Sequence, residues 1–268
     1  MDKIVSTFSL SEDKLNFYGS IFSNLTYFTV FKYMKMPKLK IAFFLLSISG
    51  FISCQLHEQE SPKAVPAKDI FFDYKIWGEE GKDAVTCLLQ FRFRREAGRT
   101  VKLDSGVRVE VDGELIQPDS ARITGPFFEI QKPIDDFAGS HTITFIDLNK
   151  KEYTEEFIFR PFNLLTEIPD TIYRDDLKFD IEGLQHVDYL RIIAIDTLFK
   201  SEDINEIDTV KNGKLIILKE KLKKLVNGPV TLWLNKEEER PVKYGTERGG
   251  KISIMYGLKR EFVLAGGW

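Results

Sequence analysis

The chain has 268 residues, 43% of them hydrophobic and 29% charged, a composition of folded protein and not of a disordered or collagen-like chain. Its 38 Lys and Arg nearly balance 41 Asp and Glu, so no basic field invites nucleic acid. Two cysteines and three histidines are too few for a zinc framework or a disulfide scaffold, and no cofactor is expected.

The clearest signal begins at Met34, where Lys35, Lys38 and Lys40 precede the apolar run Ile41 to Ser53. A helix needs about 20 apolar residues to cross a bilayer, so this shorter run reads as the apolar region of a secretory signal, residues 34–53. It ends in Phe51-Ile52-Ser53-Cys54, which resembles a bacterial lipobox, with phenylalanine where leucine is usual. The resemblance implies cleavage before Cys54, lipid on its thiol, and membrane attachment through that lipid. Residues 54–67 are polar, include Pro62 and Pro66, and read as a flexible tether. A secretory signal belongs at an N-terminus, so residues 1–33 are expected to be a mis-assigned extension, with Met34 or Met36 as the start.

From Lys68 the chain reads as short strands punctuated by turns, the spacing of a β-sandwich. Strands are expected at Asp69 to Trp77, Val85 to Arg95, Val107 to Val111, Phe127 to Ile130, His141 to Asp147 and Tyr153 to Phe159. Asp112-Gly113 should close a tight hairpin, because both central positions of such a turn need positive φ. Cys87 alternates in register with Val85, Leu89 and Phe91, which makes it a core residue.

Arg160-Pro161-Phe162-Asn163 breaks the pattern and sets the expected boundary between a first domain, residues 68–162, and a second, residues 163–268. Strands of the second are expected at Leu177 to Ile181, Tyr189 to Ile195, Lys214 to Leu218, Pro229 to Asn235 and Lys251 to Leu264, the last bent at Gly257. The part from Leu165 to Leu264 is expected to fold by itself. A repeat supports two similar units: Phe128 to Phe137 aligns with Ile216 to Leu225, and Thr142 with Thr231. This resembles the corner before the penultimate strand of immunoglobulin-like domains. The expected fold is therefore all-β, two consecutive immunoglobulin-like sandwiches after a signal and tether. Lipobox and tandem sandwiches together resemble envelope lipoproteins of Bacteroidota, which implies an outer-membrane address in the cell envelope and a mostly non-catalytic class.

Catalytic signals are weak. Gly245 to Lys251 spells a phosphate-loop pattern, but Ile252 replaces the magnesium-binding hydroxyl and a strand follows, so a hairpin loop is expected. His57 lies in the tether, His141 at a strand start and His186 in a connection, none within a catalytic motif. Carboxylates at Asp135-Asp136, Asp170, Asp175-Asp176 and Glu202-Asp203 lack calcium-loop spacing and read as turns and caps, leaving calcium conceivable only near the domain junction. Arg92, Arg94 and Arg108 face outward, as an anion-binding stripe or as solvated partners of residues such as Glu110. Val230, Leu232 and Leu234 share one face, so Trp233 must point away from the core. The loop expected from Lys236 to Gly250 could cover it, or a partner such as a sugar ring could. The function these readings favour is a binding or assembly module for a glycan, a peptide or another envelope protein; the alternative is an envelope hydrolase on a β scaffold.

Overall fold

The computed structural model describes residues 65–266; Cys54, His57, the signal and the 1–33 extension lie outside the described residues. After a 3-10 turn at Ala67–Asp69, eight strands build a first sandwich: β1 (Ile70–Glu79), β2 (Ala84–Phe93), β3 (Arg108–Val111), β4 (Glu114–Leu115), β5 (Pro118–Ala121), β6 (Gly125–Pro133), β7 (Gly139–Ile146) and β8 (Glu152–Phe159). One sheet runs β5-β6-β2-β1 and the other β4-β3-β7-β8. Alternation places Phe72, Tyr74, Cys87, Leu89 and Phe91 of one sheet against Val109, Ile143, Phe145 and Phe159 of the other, all buried. Asp112 and Gly113 have φ of 51° and 79°, as the tight turn requires.

The second sandwich uses β9 (Asn163–Leu164), β10 (Thr171–Tyr173), β11 (Leu177–Glu182), β12 (Val187–Asp196), β13 (Ile204–Lys211), β14 (Lys214–Ile217), helix α1 (Lys219–Leu222), β15 (Gly228–Thr246) and β16 (Gly249–Ala265). Strands β16-β15-β12-β13 lie side by side, and β10 adds parallel to the end of β16. At Asn212-Gly213, with φ of 52° and 71°, the chain turns from β13 into β14, which pairs with β11. The aligned segments of the repeat occupy equivalent places: β6 leads through a turn into β7, as β14 leads through α1 into β15. The all-β, immunoglobulin-like sandwich architecture follows from this pairing order.

The hairpin β15–β16 departs from the sequence reading. Lys236 to Gly250 is not a loop: β15 continues to Thr246 and pairs with β16 down to Pro241↔Lys251. The charged side chains from Lys236 to Arg240 disguise the strand, because on both of its faces from Lys236 to Thr246 only Val242 is buried and apolar. The proximal half of the hairpin pairs with β12 through Val230 to Asn235. The distal half pairs in parallel with β1, from Phe72↔Gly250 to Glu79↔Gly257. The expected boundary at residue 163 therefore assigns to the second domain a hairpin half that completes the sheet of the first. Strands β5, β10 and β13 were also absent from the expected set, because polar stretches such as Asn205-Glu206 and Pro118-Asp119 mask the alternation.

One face of β16 is buried over most of its length. Ile252, Ile254 and Tyr256 face the first core, and Leu258, Phe262 and Leu264 the second. Between them, Tyr256 meets Phe159 and Phe162 edge-on, at centroid separations of 6.0 and 5.4 Å. Charged pairs close the same seam. Glu155 of β8 accepts Arg240 and the backbone N–H of Lys243, the latter at 2.6 Å. Arg260 donates to Glu80 at 3.0 Å, and Lys236 pairs with Asp188. Glu155 points inward from an edge strand, a placement that blocks pairing with a foreign strand, and the hairpin supplies its counter-charge.

Candidate binding surface

Among the described residues, neither Cys87 nor His141 is poised for catalysis. Cys87 is fully buried, and burial pushes its thiol up to about 12. Both ring nitrogens of His141 face acceptors, Asp112 at 2.8 Å and the Phe137 carbonyl at 2.8 Å, and its ring stacks on Phe137 at 3.8 Å. It ties the β3–β4 turn to the core. The glycine-rich stretch forms the β15–β16 turn, with Gly249 at φ 69°. Among the described residues no cluster of His, Cys, Asp or Glu could hold a metal ion. Asp170 is not at the junction of the sandwiches: its carbonyl accepts Val263 N–H at the far end of β16.

The three arginines do not form one stripe. Arg92 donates to the buried Asp73 at 2.7 Å and to Gln90 at 2.8 Å. Arg94 has positive φ, pairs with Asp69 at 3.1 Å and leans on the Phe93 ring at 4.9 Å. Arg108 lies in the opposite sheet, paired with Glu110. Strand alternation predicts their outward direction, but it does not reveal that β2 and β3 belong to different sheets.

Trp233 does point out of the core. Its neighbours Leu232 and Leu234 are buried to 1% and 0% exposure, whereas the indole is half-buried on the outer face. No loop covers it from Lys236 to Gly250, because those residues extend the sheet instead. Around it lies a surface that sequence reading did not assemble. On β12, Leu190, Ile192 and Ala194 fill the core, so Val187, Tyr189, Arg191, Ile193 and Ile195 stand outward. Ile193 is opposite Trp233 on one side and Asn205 on the other; Arg191 is opposite Asn235 and Ile207. Val187, Tyr189 and Ile207 are 45%, 56% and 61% exposed. The signal was present in Val187 to Ile195, whose two faces are both rich in apolar residues, unlike a strand with one solvated face.

The charges beside Trp233 and Tyr189 are paired, while Lys211, opposite Val187, is exposed at the end of the face. Arg191 donates from Nε to Glu237 at 2.8 Å and from Nη1 to Asn205 Oδ1 at 3.1 Å. Lys259 lies 6.0 Å from the Trp233 ring centroid and pairs with Glu261 at 2.6 Å. The surface is thus an aromatic and aliphatic floor on three central strands, interleaved with amide and guanidinium groups and carrying little net charge.

No protein-family model and no curated protein matches the chain. Among solved structures, DIP-gamma IG1+IG2 is 10% identical, with a TM-score of 0.22, over 74% of this chain and 96% of that one. The fibronectin(III)-like modules of Clostridium thermocellum CbhA are 12% identical, with a TM-score of 0.21, over 74% and 92%. A two-domain fibronectin type-III segment of chicken tenascin is 16% identical, with a TM-score of 0.20, over 70% and 98%. The fold assignment rests on the strand pairing described above.

Proposed function

We propose that this chain is a lipid-anchored envelope protein, of the kind found in Bacteroidota, that works as a non-enzymatic binding or assembly module. Lipid on Cys54 holds it at the outer membrane, and residues 54–67 act as the tether. The observation that supports this reading best is the open outer face around Trp233 and Tyr189 on a sheet stiffened by the β15–β16 hairpin. Binding surfaces on rigid strands are precisely positioned without loops, and apolar groups left in water on a flat sheet mark an interaction surface.

Arg248, in the β15–β16 turn, pairs with Asp69 at 3.1 Å, so the start of β1 lies beside that turn. From Gly250 to Leu264, β16 runs about 46 Å at the usual rise per residue. The hairpin would thus act as a stiff upright that sets the second sandwich away from the anchoring membrane.

A photo-crosslinking residue placed at Ile207 tests the reading in cells. Adducts from position 207, and none from a matched probe at Ile158 on β8, are expected of a module that binds through this face. Equal labelling from both positions, or none from either, contradicts it.

A further inference from the structure

We infer that the outer face of β12 and its neighbours is a site for a neutral linear glycan, lying along the strand with one pyranose ring against Trp233 and another against Tyr189. The inference rests on the binding-module reading and names its ligand.

Three observations lead to this class. First, Trp233 and Tyr189 stand on one face of adjacent strands, because Trp233 is opposite Ile193 and Tyr189 precedes Ile193 by four residues. Rise and strand spacing put their backbones about 14 Å apart, the length of a short run of sugar rings, and both are fixed by sheet pairing. A pyranose presents C–H groups on its faces, which suit an aromatic ring, and hydroxyls on its edges.

Second, the residue between the aromatics offers what those hydroxyls need. Arg191 sits between Tyr189 and Ile193 on the same face, and Glu237 and Asn205 hold its guanidinium at 2.8 and 3.1 Å. Those bonds use two of the five N–H donors of an arginine. A guanidinium already immobilised by its own sheet loses little further entropy when a ligand hydroxyl meets it.

Third, the charge balance around the two aromatics favours a neutral chain. Glu237 offsets Arg191 and Glu261 offsets Lys259, so the cations nearest the rings do not form an unbalanced cluster of the kind that takes phosphate, sulfate or an acidic sugar.

Isothermal titration calorimetry of the purified chain with maltohexaose, cellohexaose and chitohexaose tests the site. At least one should bind, and both Trp233→Ala and Tyr189→Ala should weaken it tenfold or more. Arg191→Gln should weaken it several-fold, and Ile158→Ala should leave it unchanged. Tyr189 is largely outside the core, so its variant keeps the test valid even if loss of Trp233 loosens the sheet. Binding that survives both aromatic changes overturns the site. No binding by any hexasaccharide, with position 207 crosslinking to protein in cells, overturns the glycan while leaving the module reading intact. No binding and no crosslinking overturns both.

Discussion

Arg240 of the β15–β16 hairpin reaches into the first sandwich and meets Glu155, a carboxylate only 2% exposed on strand β8. The same guanidinium donates to the Glu156 carbonyl at 2.8 Å, and the Lys243 N–H takes the second Glu155 oxygen. An inward-facing acid in one sandwich is thus neutralised by a strand rooted in the other. Removing one partner of a buried pair is far more damaging than replacing both, because the remaining charge stays desolvated.

Arg240→Ala should therefore lower stability by about 3 kcal/mol. Arg240→Ala with Glu155→Leu should recover a substantial part. Urea unfolding of the single and double variants measures the coupling; equal losses in both would show that the pair does not join the sandwiches.

Gly250 lies where β16 crosses closest to β1. A Cβ there would sit 2.6 Å from Phe72 Cβ and 2.7 Å from the Phe72 carbonyl oxygen, contacts that only backbone displacement relieves. Gly250→Ala should cost about 1–3 kcal/mol and raise amide exchange along the distal hairpin, whereas Gly81→Ala, with open space around its Cβ, isolates the effect of a positive φ alone. Undiminished protection of the distal hairpin in Gly250→Ala would refute the close packing.

Much of this architecture is legible in the sequence. Alternation in Val85 to Phe93 and in Pro229 to Asn235 locates strands and core faces, and it sends Trp233 outward. The long hairpin was hidden because its distal outer residues, Glu237 to Lys243, read as a charged loop; only Val242 and the Arg240–Glu155 pairing betray a strand, and that pairing is 85 residues apart in the chain. The apolar outer face of β12 is hidden for a related reason. Tyr189, Ile207 and Trp233 come together only through strand order, which alternation within single strands does not encode. The arginines fail as a group on the same ground.

Asp188 gives the fold an acid sensitivity of known sign. Burial raises its pKa, but Lys236 and the Tyr189 and Gln185 N–H groups outweigh this and hold the carboxyl below the usual range. A depressed folded-state value contributes stability above the unfolded pKa of about 3.9, and that contribution is lost as the pH falls through the folded value. Asp188→Asn should be less stable than the parent at pH 7, and the difference should shrink toward pH 3. A constant difference between pH 7 and pH 3, read by thermal melts, would contradict this role.

Lipid attachment is tested directly at its cysteine. Cys54→Ala should leave the precursor uncut or release the protein from membranes, and globomycin-insensitive processing of the parent would argue against a lipoprotein signal.

The β15–β16 hairpin pairs with β1 of one sandwich and β12 of the other, and equilibrium unfolding with amide hydrogen exchange tests most directly whether it fuses them into one mechanical unit. A single cooperative transition is predicted, coincident for probes in β7 and in β12, with hydrogen-bonded amides of residues 250–257 protected as strongly as those of residues 258–264. Two separated transitions, or rapid exchange confined to residues 250–257, would mean that the hairpin does not hold the first sandwich and that the sandwiches act independently.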